Sequence, residues 1–304
     1  MARYPSTVMV TAVCPWDEQE RLVEDVFRRQ LRLALERGFR RIYVFGTAGE
    51  GYAVDTAQFR RVVEVFGDEL LGGEAVPMVG AIGLSTGNVV ERLRIAHDIG
   101  FRDFQISLPS WAAVTDEEVL RYFVDVCGSF PDSNFMHYNS ARTRRILTGR
   151  EYRWLVEAIP NLVATKIISS DLAVVGSAVR DAPELMHFLT EGTIAHGSIF
   201  GECALLGTYA MLAPKHAWRL LEAAQAGRLG EAAAIGTWFE GLNRELFDPL
   251  FVDPRVDGAY DKVIARLAGV TDLPLRMLSP YRCVGDDEFD RTLELLRERF
   301  PDCD

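Results

Sequence analysis

Eight short apolar runs, each followed by an amphipathic stretch of helical period, recur along the first two-thirds of this chain. No other feature restricts the fold as much. The runs fall at residues 8–12, 41–45, 76–82, 101–108, 134–138, 162–168, 184–189 and 203–207. Between the first two, Leu22, Val23, Val26, Phe27, Leu31 and Ala34 recur near helical spacing until Gly38, which marks a helix and its stop. Asp55 with Gln58, Thr115 with Glu118, and Thr148 with Glu151 have the spacing of helix-opening capping boxes. Strands that alternate with helices form a parallel sheet, and eight such units predict a (β/α)8 TIM barrel. An open doubly wound sheet is the alternative, and the absence of a GxGxxG after any strand counts against it. Beyond Pro214 the period is only helical, at about 215–226, 229–247, 257–268 and 286–299. The expected organisation is a barrel over residues 1–213 that carries the active site, with a helical appendage over 214–304 packed on it.

Composition narrows the function. With 304 residues and 48% hydrophobic content the chain can bury a large core. A formal net charge of −11 argues against nucleic-acid or anionic-membrane partners, which require clustered cations. The five cysteines are widely spaced with no CxxC, and the five histidines form no HxH or HExxH pattern, so neither a disulfide framework nor a metal site is signalled. Residues 1–13 lack a signal-peptide pattern, and no run approaches the length of a membrane span. A cytoplasmic protein is the expectation.

A barrel of this kind places its chemistry at the C-terminal ends of the strands. The sixth run reads Leu162-Val163-Ala164-Thr165-Lys166-Ile167-Ile168, and Lys166 is one of only three lysines. Desolvation disfavours an ammonium in such a run. The lysine is therefore neutral and ready to attack a carbonyl, or it pairs with a buried carboxylate, or it snorkels to the strand end. On the fifth run, Tyr138 is placed to face the same lumen and to move protons at a substrate oxygen; a packed tyrosine satisfied locally is the alternative. His137 points the other way by alternation, a structural position. The second run ends in Gly46-Thr47-Ala48-Gly49-Glu50. Such a junction either gathers backbone N–H groups on an anion or is a tight turn needing positive φ.

Taken together, these segments resemble the dihydrodipicolinate synthase / N-acetylneuraminate lyase family. The Gly46–Glu50 loop is similar to that family's G-[TS]-T-G-E, Tyr138-Asn139 to its Y-N motif, and Lys166 occupies its imine lysine. Pro15 and the segment Leu275-Arg276-Met277-Leu278-Ser279-Pro280 also resemble family landmarks. The resemblance spans nearly the whole chain. It implies a Schiff-base lyase of the class I aldolase type that acts on pyruvate or a related 2-oxo acid plus an aldehyde. It implies no metal or organic cofactor and a homo-oligomer, tetramer or dimer. Lys166, Tyr138 and Thr47 would be catalytic. Gly46, Ala48, Gly49, Trp111, Arg142, Thr143, Gly192 and Gly207 would contact substrate.

Departures from the family pattern bear on the substrate. Ala48 replaces a second hydroxyl residue. Trp111 stands where dihydrodipicolinate synthases place a relay tyrosine; an indole cannot pass a proton but offers a flat wall for an aryl or bulky aldehyde, or fills a subunit interface. Thr143 takes the place of an arginine, with Arg142 and Arg144 flanking it. These changes favour an aldolase or hydratase-aldolase. A 2-oxo-sugar-acid aldolase or dehydratase, a dihydrodipicolinate-type condensation and a catalytically silent binding paralogue are the alternatives.

Overall fold

The computed structural model describes residues 3–303. Met1, Ala2 and Asp304, which the expected domain limits include, lie outside the described residues. In chain order the elements are β1 (Val8–Thr11), α1 (Glu24–Glu36), β2 (Arg41–Val44), α2 (Thr56–Leu70), β3 (Val76–Ala81), α3 (Thr86–Ile99), β4 (Asp103–Ile106) and α4 (Asp116–Gly128). Then come β5 (Asn134–Ser140), α5 (Gly149–Ala158), β6 (Leu162–Ile168), α6 (Leu172–Asp181), β7 (Met186–Leu189), α7 (Ile194–Gly197) and β8 (Ala204–Leu206). Four more helices follow: α8 (Pro214–Gln225), α9 (Leu229–Leu246), α10 (Asp257–Leu267) and α11 (Asp286–Arg299).

The eight strands pair in parallel in sequence order, and β8 returns to β1 to close the barrel. Closure leaves each strand buried on both faces, which is why its residues read as continuous apolar runs and not as alternating ones. One set of alternate residues, including Tyr43, Met78, Met136, Ala164, Met186 and Phe188, fills the lumen. The opposite set, including Ile42, Val44, Phe104 and Phe135, packs beneath the helices.

Local chemistry fixes the helix ends. Asp55 and Thr115 each accept from the backbone N–H three residues on, and Gln58 and Glu118 reach back to complete the capping boxes of α2 and α4. The first turn of α4 holds Asp116, Glu117 and Glu118, the sign the helix dipole favours there. Chain exit from α1 uses Gly38 at φ +85°, where a side chain would be strained.

Some elements differ from expectation. β5 continues through Asn139 to Ser140, and β8 is only three residues long. The short α7 spans four residues, too few to produce a helical period in the sequence. α8 packs on both β1 and β8 and closes the outer ring of helices, so α9 to α11 form the extension beyond that ring. The expected division at 213/214 groups α8 with the extension. Leu242, Leu246, Val263, Ile264, Phe289 and Leu296 build a second apolar cluster among these last helices. No helix among the described residues is long and apolar enough to cross a membrane.

α10 is fastened to the loop after β2. A Cβ on Gly258 would lie 3.0 Å from Met277 Cε and 3.2 Å from the Thr47 carbonyl oxygen, so glycine permits this close approach. One turn further, Lys262 Nζ lies 2.6 Å from Glu50 Oε1, with both side chains fully buried. Glu50 also accepts from Trp16 Nε1 and the Leu278 N–H, each at 2.8 Å, while Lys262 donates to the Arg276 carbonyl. The barrel mouth thus acquires a roof with a fixed register.

Candidate active site

Strand register brings the two central groups together. Tyr138 on β5 is the direct partner of Lys166 on β6, and both point inward, as alternation requires. His137 points outward, its Nδ1 2.7 Å from the Tyr152 hydroxyl on α5. Burial lowers its pKa to about 3, so it stays neutral and structural.

Lys166 is 3% exposed. Its Nζ donates to the Tyr43 hydroxyl at 2.5 Å and lies 4.1 Å from the centre of the Tyr138 ring. Burial lowers the ammonium pKa to about 7, and the carboxylates of Asp261 and Asp257 only partly oppose that shift. A substantial neutral fraction therefore exists near neutrality, the form that can attack a carbonyl. Burial raises the pKa of Tyr43 far above its ordinary value, so it remains a neutral phenol that orients the amine. Thr47 Oγ1 is 3.3 Å from the Tyr138 hydroxyl, in a buried position, which gives Tyr138 a neighbour for proton exchange.

Two cavities meet at this pair. The first, about 220 Å³, is lined by Lys166, Tyr138, Thr47, Ala48, Gly207 and the α10 carboxylates, among others. The second, about 330 Å³, shares Thr47 and Tyr138 and has walls that include Tyr52, Ile82, Leu108 and Tyr281. Tyr138 stands on the boundary, able to serve reactants on both sides.

The glycine loop works differently from a positive-φ turn. Positive φ falls on Phe45 at 64° and Glu50 at 58°. Gly46 is needed because a Cβ would lie 2.6 Å from the Tyr43 ring, and Gly49 because one would lie 2.6 Å from the Phe45 nitrogen. Both glycines thus act through packing: they let the loop press on its own strand and present Thr47 and Ala48 to the cavity.

Other expected contacts are redistributed. Trp111 is 80% exposed on the β4–α4 connection and walls neither cavity within one chain. Gly192 lies against α9, where a Cβ would sit 3.1 Å from Glu240 Oε1, not on the cavity wall. Thr143 lines the second cavity, but its hydroxyl faces the Ser140 and Arg145 carbonyls, so it shapes the turn. Arg142 Nη2 pairs with Asp257 Oδ2 at 2.9 Å. Burial works against the Arg142 cation, but Asp257 and then Tyr138 outweigh it and raise its pKa.

Sequence reading missed Tyr43, Asp257 and Asp261. Inward parity was a usable signal for Tyr43, whose strand also carries the loop. For the aspartates the signal was an i, i+4 pair on the 257–268 helix, but nothing in the sequence said that this helix would cover the barrel mouth.

Comparison with known proteins places this geometry. The profile of the dihydrodipicolinate synthetase family matches residues 4–261. A 4-hydroxy-tetrahydrodipicolinate synthase of Methanopyrus kandleri is 25% identical over 285 residues, which is 92% of this chain and 90% of that protein. An N-acetylneuraminate lyase of Salmonella paratyphi B is 26% identical over 237 residues, 77% of each chain. Among solved structures, the E. coli K12 prophage protein YagE in complex with pyruvate superposes with a TM-score of 0.85 at 16% identity, covering 96% of this chain and 98% of that one. Proteus mirabilis N-acetylneuraminate lyase gives 0.84 at 18%, covering 97% and 98%. At such identities the structural likeness speaks for the fold.

Proposed function

We propose that this chain, which belongs to the dihydrodipicolinate synthetase family, is a lyase that forms a Schiff base between Lys166 and a 2-oxo acid such as pyruvate. The observation that carries this reading is the buried Lys166 amine, its pKa lowered to about 7, at the floor of a cavity it shares with Tyr138 and Thr47. Neutral Lys166 adds to the keto carbon, and loss of water gives the imine. Loss of a C3 proton gives an enamine, which adds to an aldehyde, and the reverse sequence cleaves the product. Tyr138 exchanges the proton at the aldehyde-derived oxygen and Thr47 links to it. The substrate carboxylate lies against the Thr47–Ala48 segment, where backbone N–H groups can receive it.

The second cavity supports an uncharged aldehyde with an apolar or aryl body. Three tyrosine rings with Ile82, Leu108 and Val256 give its walls apolar faces, serine and threonine residues lie between them, and its one cation, Arg142, is already paired with Asp257. That pairing and the turn role of Thr143 count against recognition of a second carboxylate, hence against a dihydrodipicolinate-type condensation. An aldolase or hydratase-aldolase fits better. The test is cleavage or condensation with pyruvate and a panel of aldehydes, comparing wild type with Lys166→Arg. Wild-type turnover that favours aryl over carboxylate-bearing aldehydes and vanishes in Lys166→Arg is expected. Undiminished turnover in the variant overturns the imine. A preference for carboxylate-bearing aldehydes overturns the assignment of the second cavity.

A further inference from the structure

We infer that Asp261 is the acid that drives water from the carbinolamine at Lys166 and then the counter-ion of the resulting iminium. This rests on the Schiff-base reading and assigns a role in it to a residue from outside the barrel.

The geometry begins with α10. Its fastening to the β2 loop through Gly258 and the Lys262–Glu50 pair holds Asp257 and Asp261, one turn apart, over the cavity of Lys166. The two carboxylates are not equivalent. Asp257 is tied to Arg142. Asp261 has no hydrogen bond or ion pair among the described residues, although it lines the imine cavity and not the aldehyde cavity. It is partly exposed and borders that cavity together with Lys166, and it also borders a small neighbouring one. A carboxyl with no protein partner, on the wall of the cavity that holds the reacting nitrogen, has the substrate as its natural partner.

The charged surroundings favour the protonated carboxyl. Burial is the largest influence on Asp261, and Asp257 on its own helix pushes in the same direction. Lys166 on β6 and Arg142 beyond β5 oppose, while Glu191 beyond β7 adds to the rise; the pKa is raised to about 7. Glu191 is itself held by the Tyr209 N–H.

The step balances without a further reactant. The Asp261 carboxyl gives its proton to the carbinolamine hydroxyl, the C–O bond breaks, and water leaves. The Lys166 nitrogen lone pair forms the C=N bond, leaving an iminium cation opposite the Asp261 carboxylate. When the C3 proton leaves to give the neutral enamine, the carboxylate accepts it and Asp261 is restored. Tyr138, on the boundary of the two cavities, stays free for the aldehyde oxygen.

The experiment measures the rate of borohydride-trapped pyruvate adduct against pH for the full chain, its Asp261→Asn and Asp261→Glu variants, and Tyr138→Phe. Wild type rises through about pH 7 as Lys166 loses its proton and falls above about pH 7 as Asp261 loses its own. Asp261→Asn is expected to trap about 100-fold more slowly, the scale of one positioned proton donor. It should lose the falling limb and shift the rising limb to lower pH, because the charge that supports the Lys166 ammonium is gone. Asp261→Glu should keep both limbs and most of the rate. An Asp261→Asn profile of unchanged shape, whether slowed or not, overturns the proposal, as does loss of the falling limb in Tyr138→Phe alone. Should Asp261→Asn not fold, a missing falling limb in Asp261→Glu overturns it. A wild type that forms no adduct at any pH instead overturns the Schiff-base reading on which it rests.

Discussion

Replacing Lys262 by methionine tests how firmly the roof of the barrel is set. The substitution keeps most of the side-chain volume and removes one charge from a pair 2.6 Å apart in which neither side chain is exposed. Glu50 would keep its bonds from Trp16 and the Leu278 N–H, but those neutral donors do not balance a carboxylate cut off from water. Removing one partner of a buried pair costs about 3–5 kcal/mol, chiefly through the uncompensated charge left behind. For a chain of 304 residues the entropy of unfolding is roughly 0.6 kcal/mol/K. The melting temperature should therefore fall by about 5–8 °C. The double variant Lys262→Met/Glu50→Gln leaves no buried charge and should regain several degrees, because the cost lies in the orphan and not in the lost attraction. Calorimetric or circular-dichroism melts of the four proteins measure both quantities. A single variant that melts within about 1 °C of wild type, or a double variant no better than the sum of the two singles, refutes this reasoning.

Tyr138→Phe keeps the ring beside Lys166 but removes the hydroxyl that meets Thr47; kcat/KM for the aldehyde reaction should fall about 10²–10⁴-fold, while trapping of pyruvate at Lys166 persists, and both are read by steady-state and trapping assays on the same preparation. Trp111→Ala removes a side chain that is 80% exposed and walls neither cavity, so the pyruvate adduct should form at a rate within about twofold of wild type, the range ordinary for a surface change. A loss well beyond that, together with a change in sedimentation, would mean that a second copy carries Trp111 into the site.

Legibility of the fold followed from closure. Every strand of a closed parallel barrel is buried on both faces, so all eight appear as apolar runs, and capping pairs such as Asp55–Gln58 mark where helices open. α7 left no trace because four residues hold about one turn. The floor of the site was legible because Lys166, Tyr138 and Thr47 lie on or just after strands, where parity fixes direction. The roof was not. Asp257 and Asp261 reach the cavity only because Gly258 lets α10 approach the β2 loop and because Lys262 finds Glu50, contacts between segments some two hundred residues apart. Trp111, whose place in the motif allowed either a cavity wall or an interface filler, is exposed and walls neither cavity within one chain.

The central claim is that Lys166 is the nucleophile, and trapping states it most plainly. Incubation with pyruvate and borohydride, followed by peptide mapping, should place one reduced pyruvate adduct on Lys166 and leave Lys215 and Lys262 unmodified. Absence of the adduct, or its appearance on another lysine with Lys166 untouched, contradicts the account.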